Sequence, residues 1–276
     1  MFTFAVIGRD ESERLTTALG QASEATRPGD EVWFVDSGSN DGSSELAASL
    51  GAHVLSAPTG KGRALARALN EATTEHVVLV DADIDRTSAN IPLSLRESAE
   101  RSCADLVVAE FEEPRLRLRH SSRYVWRPLV RALFPEADGR FGRTPLSGFR
   151  ALRTGMELGS IPSQFGAETH LNLVVAAAGG SVDVVDVGTY WGPVRPKPLL
   201  GLEVGAAILD LAGARERLEA ELRPRWDEWV RSVVEIVVAG PGRRTDGSTP
   251  RDTSADAEYV QRLEVAARRP LPPANR

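Results

Sequence analysis

Short apolar runs alternate with segments of helical spacing through the first hundred residues. The runs are rich in β-branched residues and lie at 2–7, 32–35, 53–55, 77–80 and 106–111. The intervening segments with helical spacing are 11–22, 43–50, 63–72 and 88–101. Runs that are apolar throughout and alternate with helices are typical of parallel strands buried on both faces. The pattern therefore predicts an α/β fold with a mainly parallel central sheet flanked by helices.

The pattern becomes less regular after residue 111. It predicts, in order, a helix at 124–134, a loop at 135–145, a strand at 149–153, a helix at 167–178 and a strand at 182–187. Two long amphipathic segments, 199–222 and 226–238, predict C-terminal helices. From residue 240 onward Pro, Gly, Ser, Thr, Asp and Arg dominate. That composition is typical of a flexible tail, here with a short helix around 257–267.

Composition narrows the classes of function. The 276 residues carry 39 acids and 33 bases with no long run of one sign, which argues against a nucleic-acid partner or a charged membrane surface. The single cysteine, Cys103, excludes an intramolecular disulfide and favours a reducing compartment. No stretch reaches the roughly 18 apolar residues of a membrane span, and the N-terminus lacks a signal-peptide pattern. We therefore expect a soluble, cytoplasmic protein without a membrane span.

The sharpest local signal is an apolar strand that runs directly into two carboxylates, Asp81 and Asp83. In an open α/β sheet, ligands collect beyond the carboxyl ends of the strands. Two hard oxygen ligands at that place suit Mg²⁺ or Mn²⁺, and such an ion would neutralise a bound diphosphate. A strand end with a turn acid and a helix cap explains the same spacing equally well.

Two further signals follow other predicted strands. Asp36 ends an apolar run, where it can accept hydrogen bonds from a base or from ribose hydroxyls; capping and turn formation are the alternative. Lys61 stands between two glycines at a helix start, where backbone NH groups, the positive helix end and a cation can meet a phosphate. Only Lys61 and Lys197 are lysines, which makes the first of them more notable. The segment is not a P-loop, which requires Gly-x-x-x-x-Gly-Lys-Ser/Thr.

In this order and spacing, these elements resemble the donor half of family 2-like GT-A glycosyltransferases. The opening segment 6–13 is similar to their first strand and acidic base-binding turn, although Asp10 stands where an asparagine is usual. The resemblance implies a GT-A fold and a nucleoside-diphosphate sugar as the donor, either a UDP-hexose or a GDP-hexose. It also implies donor contacts: Glu11 would belong to the turn that binds the base, Asp36 would bind the uracil or ribose end, and Lys61 the phosphates. Asp81 and Asp83 would bind the ribose and the metal.

The second half resembles the glucosyl-3-phosphoglycerate synthases and their mannosylglycerate-forming relatives. The matching segments are Arg127–Pro135, Pro145–Gly148, Gly166–Glu168 and Val185–Gly188. The resemblance covers about residues 3–200 and implies that Ser147 and Gly148 lie at the acceptor. It also implies that Glu168 is the carboxylate nearest the acceptor. In a retaining enzyme Glu168 would position the acceptor or the sugar, whereas in an inverting one a carboxylate in this region would be the general base.

Two departures from that branch affect the predicted site. Where the branch carries a metal-binding histidine, this chain has Tyr190-Trp191-Gly192-Pro193, so His170 is the best spare metal ligand beside Asp83; a histidine on a helix surface is the alternative. The phosphoglycerate loop is replaced by His120–Arg123. In that stretch His120, Ser122 and Arg123 suit an anionic acceptor, with a solvated loop as the alternative. We therefore expect 3-phosphoglycerate to be a poor acceptor or none.

The residues and the resemblance together predict a hexosyltransferase. It would use Mg²⁺ or Mn²⁺ and a small polar or anionic acceptor, with Asp83 and Glu168 as the catalytic carboxylates. The parts would be a nucleotide-sugar-binding half, 1–112, an acceptor-binding half, 113–200, C-terminal helices, 201–239, and a flexible tail, 240–276. A nucleotidyltransferase and a GT-A-like nucleotide-binding protein without catalysis are the alternatives. The sequence leaves a homodimer open.

Overall fold

The structure is a computed structural model of the chain. It describes residues 1–113, 121–193, 195, 197, 199–215, 223–239 and 253–269. Its packing divides the chain into two compact units, one of Met1–Leu118 with Gly139–Pro196 and the other of Arg119–Asp138 with Lys197–Arg276. These units are defined by which residues pack together, whereas the parts expected from the sequence were defined by the ligand that each would bind. Residues 119–138 consequently group with the C-terminal helices.

The elements agree closely with the predicted ones in the first hundred residues. The strands are β1 (Phe2–Gly8), β2 (Glu31–Asp36), β3 (His53–Ser56), β4 (His76–Asp81), β5 (Arg86–Thr87), β6 (Leu106–Glu112), β7 (Arg150–Arg153) and β8 (Val182–Trp191). The helices are α1 (Leu15–Glu24), α2 (Ser43–Ser49), α3 (Lys61–Glu71), α4 (Ile91–Ser102), α5 (Arg127–Leu133), α6 (Ala167–Ala177), α7 (Leu200–Arg215), α8 (Arg223–Ala239) and α9 (Thr253–Arg268).

The first unit is built on an eight-stranded sheet with the order β3-β2-β1-β4-β7-β6-β8-β5. The strands β3, β2, β1 and β4 are parallel, as predicted, while β7 runs antiparallel between β4 and β6. The register pairs Gly8 with Asp36 and Ile7 with Asp81. The carboxyl ends of β1, β2 and β4 therefore meet at one edge of the sheet, where a doubly covered sheet collects its ligands.

Helices cover both faces of this sheet. Phe4 and Val6 of β1 lie with Val78 and Val80 of β4 in one apolar cluster. The cluster also contains the buried residues of α1 and, from α4, Ile91, Leu95 and Ala99. The alternate residues of β1 are buried as well, and α3 contacts that strand. Because successive side chains of a strand point to opposite faces, burial of both sets requires cover on both sides. This explains why the strands are apolar without alternation.

The second unit is helical in its described residues. A π-helical turn, Ser121–Trp126, leads directly into α5, and α7, α8 and α9 complete the unit. Its buried apolar residues include Leu129, Ile208, Val233 and Leu263. Composition predicted a tail with little to bury after residue 240, yet α9 packs on α5 and α8. None of the helices among the described residues is long and apolar enough to cross a membrane.

Candidate active site

Lys61 lies between two carboxylates from different elements. It opens α3, and its Nζ is 2.9 Å from Oδ1 and 3.0 Å from Oδ2 of Asp81, at the end of β4. The same Nζ is 2.5 Å from Oε1 of Glu168, in the first turn of α6. Burial alone would lower the pKa of Lys61, but the charges of Asp81 and Glu168 outweigh it and raise the pKa. The ammonium is therefore charged and holds the carboxylates of Asp81 and Glu168 together.

Glycines allow the close approach of these elements. A Cβ on Gly62 would lie 1.8 Å from the carbonyl oxygen of Pro162, so α3 can begin against the loop before α6 only with glycine there. Ser147 is buried on the loop before β7, and Gly148 follows it directly beside the Asp81 carboxylate. The structure thus brings Ser147, Gly148 and Glu168, all expected at the acceptor, to the same edge of the sheet as Asp81.

Tyr190 binds the second carboxylate of the strand-end motif. Its hydroxyl donates to the carbonyl oxygen of Asp83 at 3.0 Å and lies 3.1 Å from Oδ1 of the same residue. Burial raises the pKa of Tyr190, and the charges of Asp83 and Asp81 raise it further, so the hydroxyl stays protonated and donates. Its ring packs edge-on against Phe111 and Phe149. The sequence showed Tyr190 only as part of a departure from the resembling branch.

Glu11 is buried after β1 and is held by an arginine that the sequence did not single out. Arg195 contacts both of its oxygens, with Nη2 at 2.9 Å from Oε2 and Nη1 on Oε1. Burial raises the pKa of Glu11 and outweighs the lowering effect of Arg195. The fork of Arg195 therefore covers the carboxylate that was expected to face the nucleobase. Arg195 stands in a proline-rich stretch without periodicity, so its partner could not be read from spacing.

Asp36 serves the turn that follows β2. Its Oδ1 accepts hydrogen bonds from the backbone N and the Oγ of Ser39, at 2.8 and 2.6 Å, and its Oδ2 accepts one from Oγ of Ser44 at 2.5 Å. Burial would raise the pKa of Asp36, but the hydrogen bonds from Ser39 and Ser44 prevail and lower it. The capping alternative describes these contacts, and a charged Asp36 at this edge remains suited to a ribose hydroxyl.

The structure places His170, the expected spare metal ligand, and the loop residues 122 and 123 in different environments. His170 is 6% exposed, so the surface alternative is wrong, and its Nε2 lies 2.6 Å from the carbonyl oxygen of Leu158. Among the described residues, no three His, Cys, Asp or Glu side chains gather into a metal cluster. Ser122 and Arg123 belong to the second unit, in the π-helical turn before α5. His120 lies outside the described residues.

Comparison with known proteins gives one family and many solved structures. The model of the family described as Glycosyl transferase family 2 matches residues 5–140. Glucosyl-3-phosphoglycerate synthase from Mycobacterium tuberculosis, in complex with phosphoglyceric acid, is 25% identical with a TM-score of 0.67, over 77% of this chain and 80% of that one. In complex with Mn²⁺, UDP and glucosyl-3-phosphoglycerate it is 25% identical with a TM-score of 0.65, over 76% and 78%.

A second enzyme shares the fold. Mannosyl-3-phosphoglycerate synthase from Rubrobacter xylanophilus is 22% identical with a TM-score of 0.69, over 79% of this chain and 76% of that one. No curated protein sequence matches the chain. These likenesses confirm the fold class predicted from the sequence, a GT-A sheet with flanking helices.

Proposed function

Because the chain is a family 2-like GT-A glycosyltransferase, we propose that it moves a hexose from a nucleoside-diphosphate sugar to a small anionic acceptor. The observation that carries the proposal is the position of Lys61 between Asp81 and Glu168. One cation at a helix start contacts a carboxylate at the strand end, where the donor is expected, and a second carboxylate on the acceptor side. That arrangement suits a transfer reaction in which the donor and the acceptor must lie next to each other.

The carboxylates at the end of β4 fit a divalent metal. Asp83 offers hard oxygen atoms, and Mg²⁺ is commonly held by one or two carboxylates together with substrate phosphates and water. A bound diphosphate would itself supply ligands to the ion, so such a site needs few protein side chains. Mg²⁺ or Mn²⁺ would be held by Asp83, with Asp81 beside it, and would supply neutralisation of the leaving diphosphate. Tyr190 would orient Asp83 for that role.

The residues of the chain then have distinct tasks. Lys61, at the positive end of α3, would stabilise negative charge as it builds on the departing diphosphate. Glu168 would accept a hydrogen bond from the acceptor hydroxyl or from the sugar and orient it for transfer. A carboxylate that already holds an ammonium at 2.5 Å favours this positioning role over proton abstraction. The arrangement therefore supports transfer with retention, as in the branch that the second half resembles.

The acceptor is the part in which this chain departs from its relatives. The exposed Arg123 and the buried Ser122 suit an anionic group, and the related synthase from Mycobacterium tuberculosis binds phosphoglyceric acid. The residues that replace the phosphoglycerate loop include no arginine–threonine pair, and losing an arginine fork removes bidentate recognition of a carboxylate or phosphate. We therefore propose an anionic acceptor other than 3-phosphoglycerate.

A coupled assay for released nucleoside diphosphate tests the proposal. UDP-glucose and GDP-mannose are each incubated with Mg²⁺ or Mn²⁺, alone and with a panel of small carboxylates and phosphates that includes 3-phosphoglycerate. We expect slow metal-dependent release without an acceptor, strong stimulation by one anionic acceptor, and little by 3-phosphoglycerate. Production of pyrophosphate from a nucleoside triphosphate and a sugar phosphate would instead indicate a nucleotidyltransferase. No binding and no release with any donor would refute the proposal.

A further inference from the structure

Arg150 is a fully buried cation behind the candidate active site. It is 0% exposed and opens β7, where it pairs with Leu79 of β4 and Val108 of β6 in the middle of the sheet. An apolar residue is usual at such a position, and arginine is almost never fully buried unless it is paired. Well-packed apolar residues of similar volume often replace a whole buried ion pair without loss of stability. The guanidinium at this position therefore requires an explanation other than packing.

The hydrogen bonds of Arg150 connect two segments that carry site residues. Its Nε donates to the carbonyl oxygen of Ser147 at 3.2 Å, and Nη2 donates to the same oxygen. Its Nη1 donates to the carbonyl oxygen of Glu168 at 3.3 Å and to Oδ1 of Asn172 at 3.0 Å. Asn172 in turn donates from Nδ2 to the carbonyl oxygen of Pro145 at 2.7 Å. The loop 145–148 and the start of α6 are thus tied to one planar group.

Both tied segments face the Lys61–Asp81 pair. The loop ends at Gly148, whose backbone lies against the Asp81 carboxylate, and α6 presents Glu168 to Lys61. Arg150 also lies within electrostatic reach of Glu168 and Asp81, the two carboxylates that Lys61 contacts. Burial lowers the pKa of Arg150, and the charges of Glu168 and Asp81 oppose that effect. Arginine keeps its proton in proteins, so Arg150 remains a cation beside these carboxylates.

We propose that Arg150 is a positioning residue that holds the loop 145–148 against the start of α6. It thereby sets the position of Glu168 relative to the Lys61–Asp81 pair. The inference rests on the proposed transfer of a hexose. Arg150 touches no substrate, since it is fully buried; it acts through the backbone of Ser147 and Glu168. Catalysis depends on such placement, because a shift of about 1 Å in a reacting group costs up to about 100-fold in rate.

The chain offers a matched control for a test. Among the described residues, Arg96 is the other strongly buried arginine, 4% exposed, and its Nη1 donates to Oδ2 of Asp30 at 2.5 Å and to the carbonyl oxygen of Ala25 at 2.7 Å. Arg150→Lys and Arg96→Lys both keep a buried charge and lose a guanidinium fork. Only the first change removes the tie between the loop and α6. Asn172→Ala is a second variant that keeps Arg150 but loses both the hydrogen bond from Arg150 and the one to Pro145.

Two measurements are made on each full-length variant. Hydrogen exchange on the ligand-free protein measures the exchange rates of the backbone amides in residues 144–149 and 167–172. Steady-state kinetics measure kcat and the KM values for donor and acceptor. We expect Arg150→Lys to speed exchange in both segments and to lower kcat per folded molecule about tenfold, with donor affinity within about twofold. Asn172→Ala should act in the same direction with a smaller effect. Arg96→Lys should lower the melting temperature without changing either readout.

The outcomes separate the two proposals. If Arg150→Lys and Asn172→Ala keep the exchange rates of both segments and the kcat of the unchanged protein, Arg150 is a structural cation only and the inference is wrong. The same holds if Arg96→Lys lowers kcat as much as Arg150→Lys does. If the unchanged protein transfers no hexose, the proposed function fails, and the exchange measurement alone then decides whether Arg150 ties the two segments.

Discussion

The carboxylate of Asp81 occupies the space that a side chain at Gly148 would need. A Cβ on Gly148 would lie 2.0 Å from Oδ2 and 2.5 Å from Oδ1 of Asp81, closer than any non-bonded contact permits. The backbone of Gly148 has no positive φ, so the glycine is required by its neighbour and not by its own conformation. Because Lys61 contacts the same carboxylate, a displaced Asp81 also disturbs the cation that reaches Glu168.

Gly148→Ala is therefore expected to impair donor binding more than folding. The added methyl group must push Asp81 away from Lys61, so we expect the affinity for a nucleoside-diphosphate sugar to fall about tenfold or more, with an overpacking cost of about 1–3 kcal/mol in the free energy of unfolding. Calorimetry and denaturant unfolding measure the two effects. Gly20→Ala in α1, with no heavy atom within 4 Å of its Cβ, is the control and should be stabilising by about 0.5–1 kcal/mol. Unchanged donor affinity in Gly148→Ala would place the donor elsewhere.

Lys61→Ala should distinguish ligands by charge. The ammonium contacts carboxylates in the ligand-free protein and is proposed to contact the diphosphate of the donor. Its loss should therefore lower the affinity for a nucleoside diphosphate by a factor of about 10 or more, and the affinity for the nucleoside much less. Binding of both ligands is measured by calorimetry. The chain's only other lysine, Lys197, supplies the control, and Lys197→Ala should leave both affinities unchanged. Equal losses for the two ligands in Lys61→Ala would indicate a folding role instead.

Asp83→Ala should remove the metal dependence of donor binding. Without this carboxylate we expect UDP or GDP to bind equally weakly with and without Mn²⁺, because Asp83 is the proposed metal ligand. Asp105→Ala is the matched control: it removes a carboxylate that accepts hydrogen bonds from N and Oγ of Ser181 at 2.8 Å each, in the same unit. A metal-dependent affinity that persists in Asp83→Ala would contradict the assignment.

Local pattern in the sequence suffices to predict the strand ends at the candidate site. Apolar strands that end in Asp36 and Asp81, and the glycines around Lys61, are short-range features, and the parallel register then brings the strand ends together. The pairs Glu11–Arg195 and Asp83–Tyr190 join residues 184 and 107 positions apart, and no periodicity encodes them. The burial of His170 was also missed, because α6 is buried on nearly all sides and so shows no polar face. The antiparallel β7 depends on tertiary pairing that strand patterns do not reveal.

Stability in acid should depend on Asp41, which joins the two loops that carry Glu11 and Asp36. Its oxygens accept hydrogen bonds from N of Ser12 at 2.9 Å and from Oγ of Ser43 at 2.5 Å. Burial would raise the pKa of Asp41, but the hydrogen bonds from Ser43 and Ser12 lower it to about 2. A pKa below the unfolded value of about 3.9 means that the charged form stabilises the fold above that pH, and that this contribution is lost as the pH falls through about 2.

Asp41→Asn tests this dependence. We expect it to lower the free energy of unfolding by about 1 kcal/mol at pH 7, a value discounted for the solvent screening of an exposed carboxylate. The difference from the unchanged protein should shrink as the pH is lowered and vanish near the folded pKa. Denaturant unfolding at several pH values measures it, with Glu45→Gln on α2 as a control for the loss of one exposed charge. A difference that is constant with pH would mean that charge is not the cause.

The packing of α9 predicts that the C-terminal segment contributes to stability. Leu263 is 0% exposed, Tyr259 packs edge-on against Tyr124 at 6.0 Å between ring centroids, and Arg131 contacts Glu264 at 3.4 Å. Leu263→Ala should lower the free energy of unfolding by about 2–4 kcal/mol, because it leaves a cavity in a helix contact. Val265→Ala, two residues further along the same helix and 51% exposed, should change it by less than about 0.5 kcal/mol. Truncation after Ala239 should then lower the melting temperature. If Leu263→Ala, Val265→Ala and the truncated protein are all as stable as the unchanged protein, α9 does not dock in solution.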